Sequence, residues 1–364
     1  MRGISSSSSS AICSTDLDLD KNYISRITTV FTNKYMDKLE VYSFTDAKKA
    51  MEEIHTIRPD VFLASENFEL NVDDIPSKCG FAYLVNSNGI EEIYEQKAIC
   101  KYQKVELIYK QILEIFADVS SNITGEKFDN KNTNIVAFYG CSGGTGSSSL
   151  ATAYAKNMSQ KGLKVLFINC EKYGSTDYFF SGTGNQTFSD VLYAVKSKKT
   201  NLSIKLESAV RIDDSGVNFY EASSMAMDTA EMKKEDFQTL INVLKTAFDY
   251  DVIVLDADLS LEEIFGEINH LANIIVISSD GSEISNKKLF RLCEYLKIVE
   301  QQKDERILAK AKLIYNKFSN KTGKVLENLD ITLVGGVPRF EHATIKQVVE
   351  QLQSRSEMLE KINS

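Results

Sequence analysis

Residues 136–151 read VAFYGCSGGTGSSSLA, an apolar run that passes through glycines into a stretch of small residues. Gly143, Gly144 and Gly146 allow the backbone to turn tightly, so that successive N–H groups can converge on an anion. A helix that begins near Ser147 adds free N–H groups and the positive end of its dipole. The stretch therefore predicts a strand, a phosphate-binding loop and a helix, which is the start of an α/β domain.

The loop lacks the lysine that such loops usually carry. In the pattern G-x-x-x-x-G-K-[ST], the leading glycine falls on Cys141 and the lysine falls on Ser147. Ser148 stands where the pattern places its Mg²⁺ ligand, and Ser149 adds a second hydroxyl. The alternative is an ordinary strand-to-helix connection in which the glycines only turn the chain. The loop by itself leaves both interpretations open.

Composition narrows the class of protein. At 364 residues and 43% hydrophobic content, the chain is long enough for two domains with substantial cores. An excess of acidic residues, 51 against 42 basic ones, argues against a surface dominated by nucleic-acid binding. The six cysteines include no C-x-x-C pair, and free thiols fit a reducing compartment. No apolar run is long enough to span a bilayer, so a cytoplasmic protein without a transmembrane segment is predicted.

The chain divides at a polar stretch over residues 118–133, which carries Gly125, has no apolar period and is predicted to be a linker. Residues 1–117 form the first predicted domain, in which residues 1–10, with their serine run, are expected to be a flexible end. Short strands and helices alternate through the rest of it, as in a small doubly wound domain. The strands are predicted at 11–13, 39–44, 60–64 and 81–85, and the helices at 21–36, 46–56 and 104–116.

Residues 134–364 form the second predicted domain, whose short strands are rich in Val, Ile and Leu. Continuous apolar strands are typical of a mostly parallel sheet that is covered by helices on both faces. We therefore predict an α/β fold with ligand chemistry at the carboxyl ends of the strands. Strands are predicted at 135–138, 164–169, 252–255, 274–277, 312–315 and 332–334, and helices at 148–160, 234–248, 286–299 and 344–362.

Polar side chains follow several of these strands. Asp256 ends an apolar strand and can hold a water ligand of Mg²⁺, while Glu171 can orient a water or a metal ligand. The amide of Asn316 can pair with an adenine edge, and the turn that carries Pro338 and Arg339 can line a base pocket. The alternatives are a loop-capping role for Asp256 and a surface turn around Glu171.

Residues from about 132 to 364 resemble the MinD/ParA group of P-loop ATPases, whose deviant Walker motif reads x-K-G-G-x-G-K-T. The stretch 217–258 also follows that group's run into its aspartate strand, although Asn169 replaces the first switch aspartate. The resemblance implies binding of ATP and Mg²⁺, with Ser148 and Asp256 at the metal and Glu171 as the catalytic carboxylate. The nucleotide-binding residues that it implies are Ser142, Gly143, Gly144, Thr145, Gly146, Ser147, Ser148, Ser149, Asn316, Pro338 and Arg339.

The first domain resembles a response-regulator receiver domain. The segment PDVFLAS, 59–65, matches the third strand of that family, but Ser65 stands in place of the phosphorylated aspartate. Lys101 matches the lysine of the family's Lys-Pro pair, with Tyr102 in place of the proline, and Asp16 matches an acidic residue after the first strand. This departure predicts an atypical, receiver-like interaction module without aspartyl-phosphate chemistry.

A receiver-like domain ahead of such an ATPase is the arrangement of the TadZ/CpaE proteins of Tad (Flp) pilus assembly. The resemblance implies an ATP-binding scaffold or localisation protein, a homodimer through the ATPase domain, and partners among other pilus and secretion components. Those partners would recruit a cytoplasmic protein to a cell pole or to the inner face of the membrane.

Hydrolysis is predicted to be slow or negligible, a weak ATPase at most, because both lysine positions, 142 and 147, hold serine. The alternative is an active ParA/MinD-type ATPase that acts on DNA or on a membrane. The acidic composition disfavours binding to DNA, and no sequence-specific nucleic-acid partner is predicted. The predicted final helix mixes both charges on its polar face, which favours core packing over membrane binding.

Overall fold

The computed structural model describes residues 11–119, 133–197, 201–260, 263–303 and 306–363. The predicted flexible end and nearly all of the predicted linker lie outside these ranges. The described residues form two compact units. The first takes the residues before 120 together with Thr183–Asn185 and the segment 201–209, which the sequence had placed in the second domain. The second unit takes the others.

The helices and strands follow one another closely along the chain. The first part contains β1 (Ile12–Leu17), α1 (Lys21–Lys34), β2 (Leu39–Phe44), α2 (Ala47–Ile57), β3 (Val61–Ser65), β4 (Gly80–Val85), β5 (Glu92–Ile93), β6 (Gln96–Cys100) and α3 (Val105–Val119). The second part contains β7 (Asn134–Gly140), α4 (Ser147–Gln160), β8 (Val165–Asn169), α5 (Phe188–Lys196), α6 (Leu202–Ala209), β9 (Arg211–Ile212), β10 (Asn218–Phe219), α7 (Ala226–Ala230), α8 (Lys234–Ala247), β11 (Val252–Asp256), α9 (Glu263–Leu271), β12 (Ile274–Ser279), α10 (Glu283–Lys303), β13 (Ala311–Phe318), β14 (Thr332–Pro338), α11 (Ile345–Gln353) and α12 (Ser356–Glu360).

The first unit is built on a sheet with the strand order β2-β1-β3-β4-β6-β5, parallel except between β5 and β6. Strand β3 is buried along its whole length, because its side chains alternate between two cores. Val61 and Leu63 pack with residues of α1 and α3, whereas Phe62 and Ala64 pack with residues of α2. Helix α6 also belongs to this unit and packs along α3, where the Asn201 side chain donates to the Ala117 carbonyl at 3.0 Å.

The second unit is built on a sheet with the strand order β14-β13-β12-β7-β11-β8-β10-β9, parallel except between β9 and β10. The predicted α/β class with mostly parallel sheets is therefore confirmed. Strand β7 lies between β11 and β12, so the glycine loop that follows it emerges among the carboxyl ends of its neighbours. Asp256 lies opposite Phe138 on one side and Asn169 on the other, which places it beside that loop.

The prediction of one helix over residues 344–362 is wrong, because the chain turns between α11 and α12. The Ser354 hydroxyl donates to the Gln351 carbonyl at 2.7 Å, and Arg355 then leaves the helical region with ψ of 45°. This turn brings Leu359 and Ile362 into the same buried cluster as residues of α4 and α11. The prediction that this segment packs in the core is confirmed. Among the described residues, no helix is long and apolar enough to cross a membrane.

Candidate functional site

The glycine loop joins β7 to α4 and takes a shape that only glycine adopts without strain at two positions. Gly144 and Gly146 have φ angles of 79° and 82°, in the left-handed region. A Cβ atom on Gly146 would also lie 2.5 Å from the Nδ2 atom of Asn316. Gly146 is the N-cap of α4 and offers no capping side chain, and the first intrahelical bond runs from the Leu150 N–H. The N–H groups of residues 147–149 precede that bond and are available to an anion.

Side chains from two neighbouring strands hold this loop in place. The Asn316 amide, on β13, donates to the Thr145 carbonyl at 2.7 Å, and Lys317 Nζ donates to the Gly144 carbonyl at 2.7 Å. The Thr145 hydroxyl lies 2.9 Å from the hydroxyl of Ser278 on β12. Asn316 is buried and engaged by the loop itself, so its amide supports the loop in this structure.

A cavity of about 820 Å³ opens in front of the loop. It is lined by every predicted loop residue from Ser142 to Ser149, together with Glu171 and Asp258. Asn316, Pro338 and Arg339 do not belong to its lining, and the last two are exposed at the end of β14. Sequence reasoning missed the part of the lining that α10 contributes, which consists of Lys288, Arg291, Leu292 and Tyr295.

Of the two predicted carboxylates, Glu171 lines this cavity next to Ser148, whereas Asp256 is buried beside Asn169 and does not belong to the lining. The Ser148 hydroxyl lies 3.4 Å from Glu171 Oε1, and the amide of Asn169 donates to Glu171 Oε2 at 3.1 Å and to Asp256 Oδ2 at 3.4 Å. Burial raises the pKa of Asp256 well above its usual range, and the charge of Glu171 adds to this rise. Burial also raises the pKa of Glu171, with a further contribution from Asp258.

These groups fit a magnesium ion that arrives with a phosphate ligand. Asp256 is 1% exposed, and its Oδ1 atom has no hydrogen-bond partner among the described residues. A cation relieves such a buried carboxylate, and Mg²⁺ prefers the hydroxyl and carboxylate oxygens present here. Within the described ranges, no cluster of three or more His, Cys, Asp or Glu residues can hold a metal by itself. The metal would therefore depend on phosphate oxygens as well as on Ser148 and Asp256.

A cluster of buried polar side chains, called the polar pocket below, lies in the first unit at the carboxyl end of β1. Lys101 Nζ contacts Asp18 Oδ2 at 2.8 Å, and both side chains are buried. Asp16 is also buried and accepts a hydrogen bond from the Ser14 hydroxyl at 3.0 Å, and its burial raises its pKa to about 7. Ser65, at the position that aligns with the phosphorylated aspartate, is fully buried. Lys101 is therefore paired with Asp18, and position 65 carries no carboxylate.

Comparison with known proteins identifies related domains and folds. Residues 11–117 match the family described as TadZ-like, receiver domain, and residues 133–309 match the family described as AAA domain. An uncharacterised ATP-binding protein of Methanocaldococcus jannaschii is 26% identical over 158 residues, which are 40% of this chain and 54% of that protein. The chain thus spans about half the length of this curated relative.

Two solved structures resemble the chain at low sequence identity. A ParA family ATPase from Chlorobium tepidum has a TM-score of 0.50 and 19% identity, and the match covers 63% of this chain and 96% of that one. A plasmid partition protein from Borrelia burgdorferi has a TM-score of 0.47 and 17% identity over 64% of this chain and the whole of that one. The first likeness shows a shared fold.

Proposed function

We propose, for a chain that combines a TadZ-like receiver domain with a ParA-like P-loop domain, that it binds ATP and Mg²⁺ as a scaffold of Tad pilus assembly. The observation that supports this most directly is the cavity at the glycine loop. Its lining joins the uncapped start of α4 to Ser148, and the buried Asp256 carboxylate lies beside it. Together, these groups can bind an anion and a hard cation such as Mg²⁺.

Each part of the cavity has a distinct task in this proposal. The loop N–H groups bind the phosphates, Ser148 supplies a hydroxyl to the metal, and Asp256 holds a metal-bound water. The metal, when bound, screens the charge of the phosphates and offsets the negative charge of the Glu171 and Asp256 carboxylates. Asn316 positions the loop through the hydrogen bond that its amide donates to the Thr145 carbonyl.

Turnover is proposed to be slow or negligible. Ser142 and Ser147 replace the two lysines of the family motif, and a hydroxyl donates a hydrogen bond without the charge that stabilises a phosphoryl transition state. Glu171 is already engaged by the Asn169 amide and lies within reach of the Ser148 hydroxyl, so it is not free to orient an attacking water. The bound nucleotide would act mainly as a structural element or a switch.

The remaining parts of the proposal concern assembly. We propose a homodimer through the P-loop unit, with pilus and secretion components as further partners of the receiver domain. Recruitment of a cytoplasmic protein to a pole or to the inner face of the membrane would then occur through these partners. Mass measurements with and without ATP and Mg²⁺ test the dimer, for which the mass should double on addition of both.

Asp256→Asn is expected to weaken binding of ATP by at least about tenfold in the presence of Mg²⁺, because the amide keeps the shape but cannot attract a hydrated cation. Binding without Mg²⁺ should change little. Calorimetric titration of the full chain with ATP, in Mg²⁺ and in EDTA, measures both effects. Glu231→Gln is a matched control, since this exposed acid of the same unit does not line the cavity.

Equal affinities of Asp256→Asn and the natural protein for ATP in Mg²⁺ would contradict the metal assignment. Absence of binding at millimolar ATP would contradict the proposed function as a whole. Substantial single-turnover hydrolysis, together with retention of DNA on a filter at low salt, would instead support an active ParA-type partition ATPase.

A further inference from the structure

The glycine loop of the cavity carries no positively charged side chain to balance the charge of a bound nucleotide. A nucleoside triphosphate is strongly anionic, and proteins usually meet such ligands with Lys or Arg side chains. In this chain, serine occupies both loop positions that carry lysine in the family motif, at Ser142 and Ser147. Two acidic residues, Glu171 and Asp258, line the same cavity and repel an anion. Positive charge beyond that of the metal therefore has to come from another part of the cavity wall.

Three cationic residues belong to the wall, and one of them is already engaged. Lys317 Nζ donates to the Gly144 carbonyl at 2.7 Å, so it serves to hold the loop. Lys288 and Arg291 lie on α10 and are exposed. Within the described part of the chain, neither of them forms a hydrogen bond or an ion pair. They are thus the cations of this wall whose donors remain available to a ligand.

Helix α10 is attached to the loop at the position of a missing lysine. The Ser142 hydroxyl lies 2.6 Å from the hydroxyl of Ser285, and Cys141 Sγ lies 3.6 Å from the Ser285 carbonyl. Because a helix rises 1.5 Å per residue, Lys288 follows Ser285 by about 4.5 Å along the axis and Arg291 by about 9 Å. The spacing of three residues keeps both cations on the same side of α10, facing the cavity that they line.

We propose that Lys288 and Arg291 supply, from α10, the positive charge that the loop has lost, and that they bind the phosphates of a nucleoside triphosphate. This inference rests on the proposed nucleotide-binding function and adds the residues that give it charge. The Ser142–Ser285 contact fixes the start of α10 against the loop. The two cations are therefore held by a helix, whereas the lysines of the family motif extend from the loop itself. Two cations beyond the loop also favour the triphosphate over the diphosphate, since the additional phosphate carries the additional charge.

Neutral variants of the full-length protein test the assignment. Lys288→Gln and Arg291→Gln are each expected to weaken binding of ATP and Mg²⁺ by about five- to tenfold, and the double variant by about 30-fold or more. The preference for ATP over ADP should fall in the same order, and the affinity of the double variant should depend less on salt. Calorimetry with ATP and with ADP, at two salt concentrations, measures these quantities.

Lys287→Gln is the matched control, because this neighbour on α10 is exposed and lies outside the cavity wall. Lys288→Arg and Arg291→Lys should retain most of the affinity. All variants should melt as the natural protein does, since the substituted side chains are exposed. The proposal is overturned if the natural protein binds ATP and both neutral variants bind it as tightly as Lys287→Gln does. If the natural protein itself binds no ATP, the proposed function fails, and this inference fails with it.

Discussion

Replacing Lys101 by Met is expected to lower the free energy of unfolding of the first unit by about 3–5 kcal/mol. Lys101 and Asp18 form an ion pair of 2.8 Å whose side chains are only 4% and 2% exposed. Methionine fills much of the space of the lysine stem but leaves the Asp18 carboxylate buried without its cation. Its other oxygen still accepts from the Asp20 N–H, which cannot replace a charge. Hydrogen exchange of β1 and β6 amides in the full chain measures the loss.

Two controls separate this effect from a general loss of packing. Lys101→Met combined with Asp18→Leu removes both charges and should recover most of the stability, because a buried ion pair is often no better than an apolar pair. Lys97→Met removes a half-exposed lysine that pairs with Glu114 and Asp118, and should cost less than about 1 kcal/mol. A loss for Lys101→Met as small as that for Lys97→Met would contradict the prediction.

This pocket also shows why the partner of Lys101 was not found from the sequence. The first strand was expected at residues 11–13, but β1 runs from Ile12 to Leu17. The longer strand puts Asp18, rather than Asp16, within reach of the lysine. Strand bounds depend on pairing with β2 and β3, which extends β1 through Ser14, Thr15 and Asp16, residues with little apolar pattern of their own. Register in a sheet is a tertiary property.

The parallel strands of the second unit were predictable because burial on both faces is visible in composition. Strand β11 reads VIVLD and is buried throughout, and every neighbour of β7 has the same character. The edge elements were not predictable in this way. Strands β9 and β10 have two residues each, and helix α6 is recognised only by its packing on α3. An isolated short helix has little stability of its own.

The same distinction applies to the candidate site. Ser148 was predicted from the pattern of the glycine loop, and Glu171 and Asp256 from their places at the ends of strands, where adjacent parallel strands bring their carboxyl ends together. Lys288 and Arg291 were missed because nothing local marks the cavity-facing side of a long helix. That side is set by the contact between Ser285 and Ser142, which are 143 residues apart in the chain. Long-range contacts of this kind leave no periodic signal.

Asp16→Asn is expected to stabilise the first unit at pH 8 by on the order of 3 kcal/mol and to have little effect near pH 4. Burial raises the pKa of the Asp16 carboxyl to about 7, so the native protein keeps a proton that the unfolded chain releases near pH 4. The native state therefore binds more protons between these values, and its stability falls as pH rises through them. Asparagine cannot ionise, so the variant escapes this loss.

Urea unfolding between pH 4 and pH 8 measures the effect. The chain has no tryptophan, so Tyr102→Trp, placed at an exposed position beside the pocket, reports on the first unit in both proteins. Asp46→Asn is the control, because asparagine caps α2 as well as aspartate does and should give no gain at pH 8.

The neighbours of Asp16 determine how the stability of the Asp16→Asn variant at pH 8 is interpreted. The Ser14 hydroxyl donates to Asp16, and Lys101 is paired with Asp18. A variant that is less stable than the natural protein at pH 8 would contradict the prediction and show that the ionised Asp16 carboxylate makes a favourable interaction that asparagine cannot replace. The expected gain would instead show that ionisation of Asp16 costs stability in the native state, where Lys101 is already paired with Asp18.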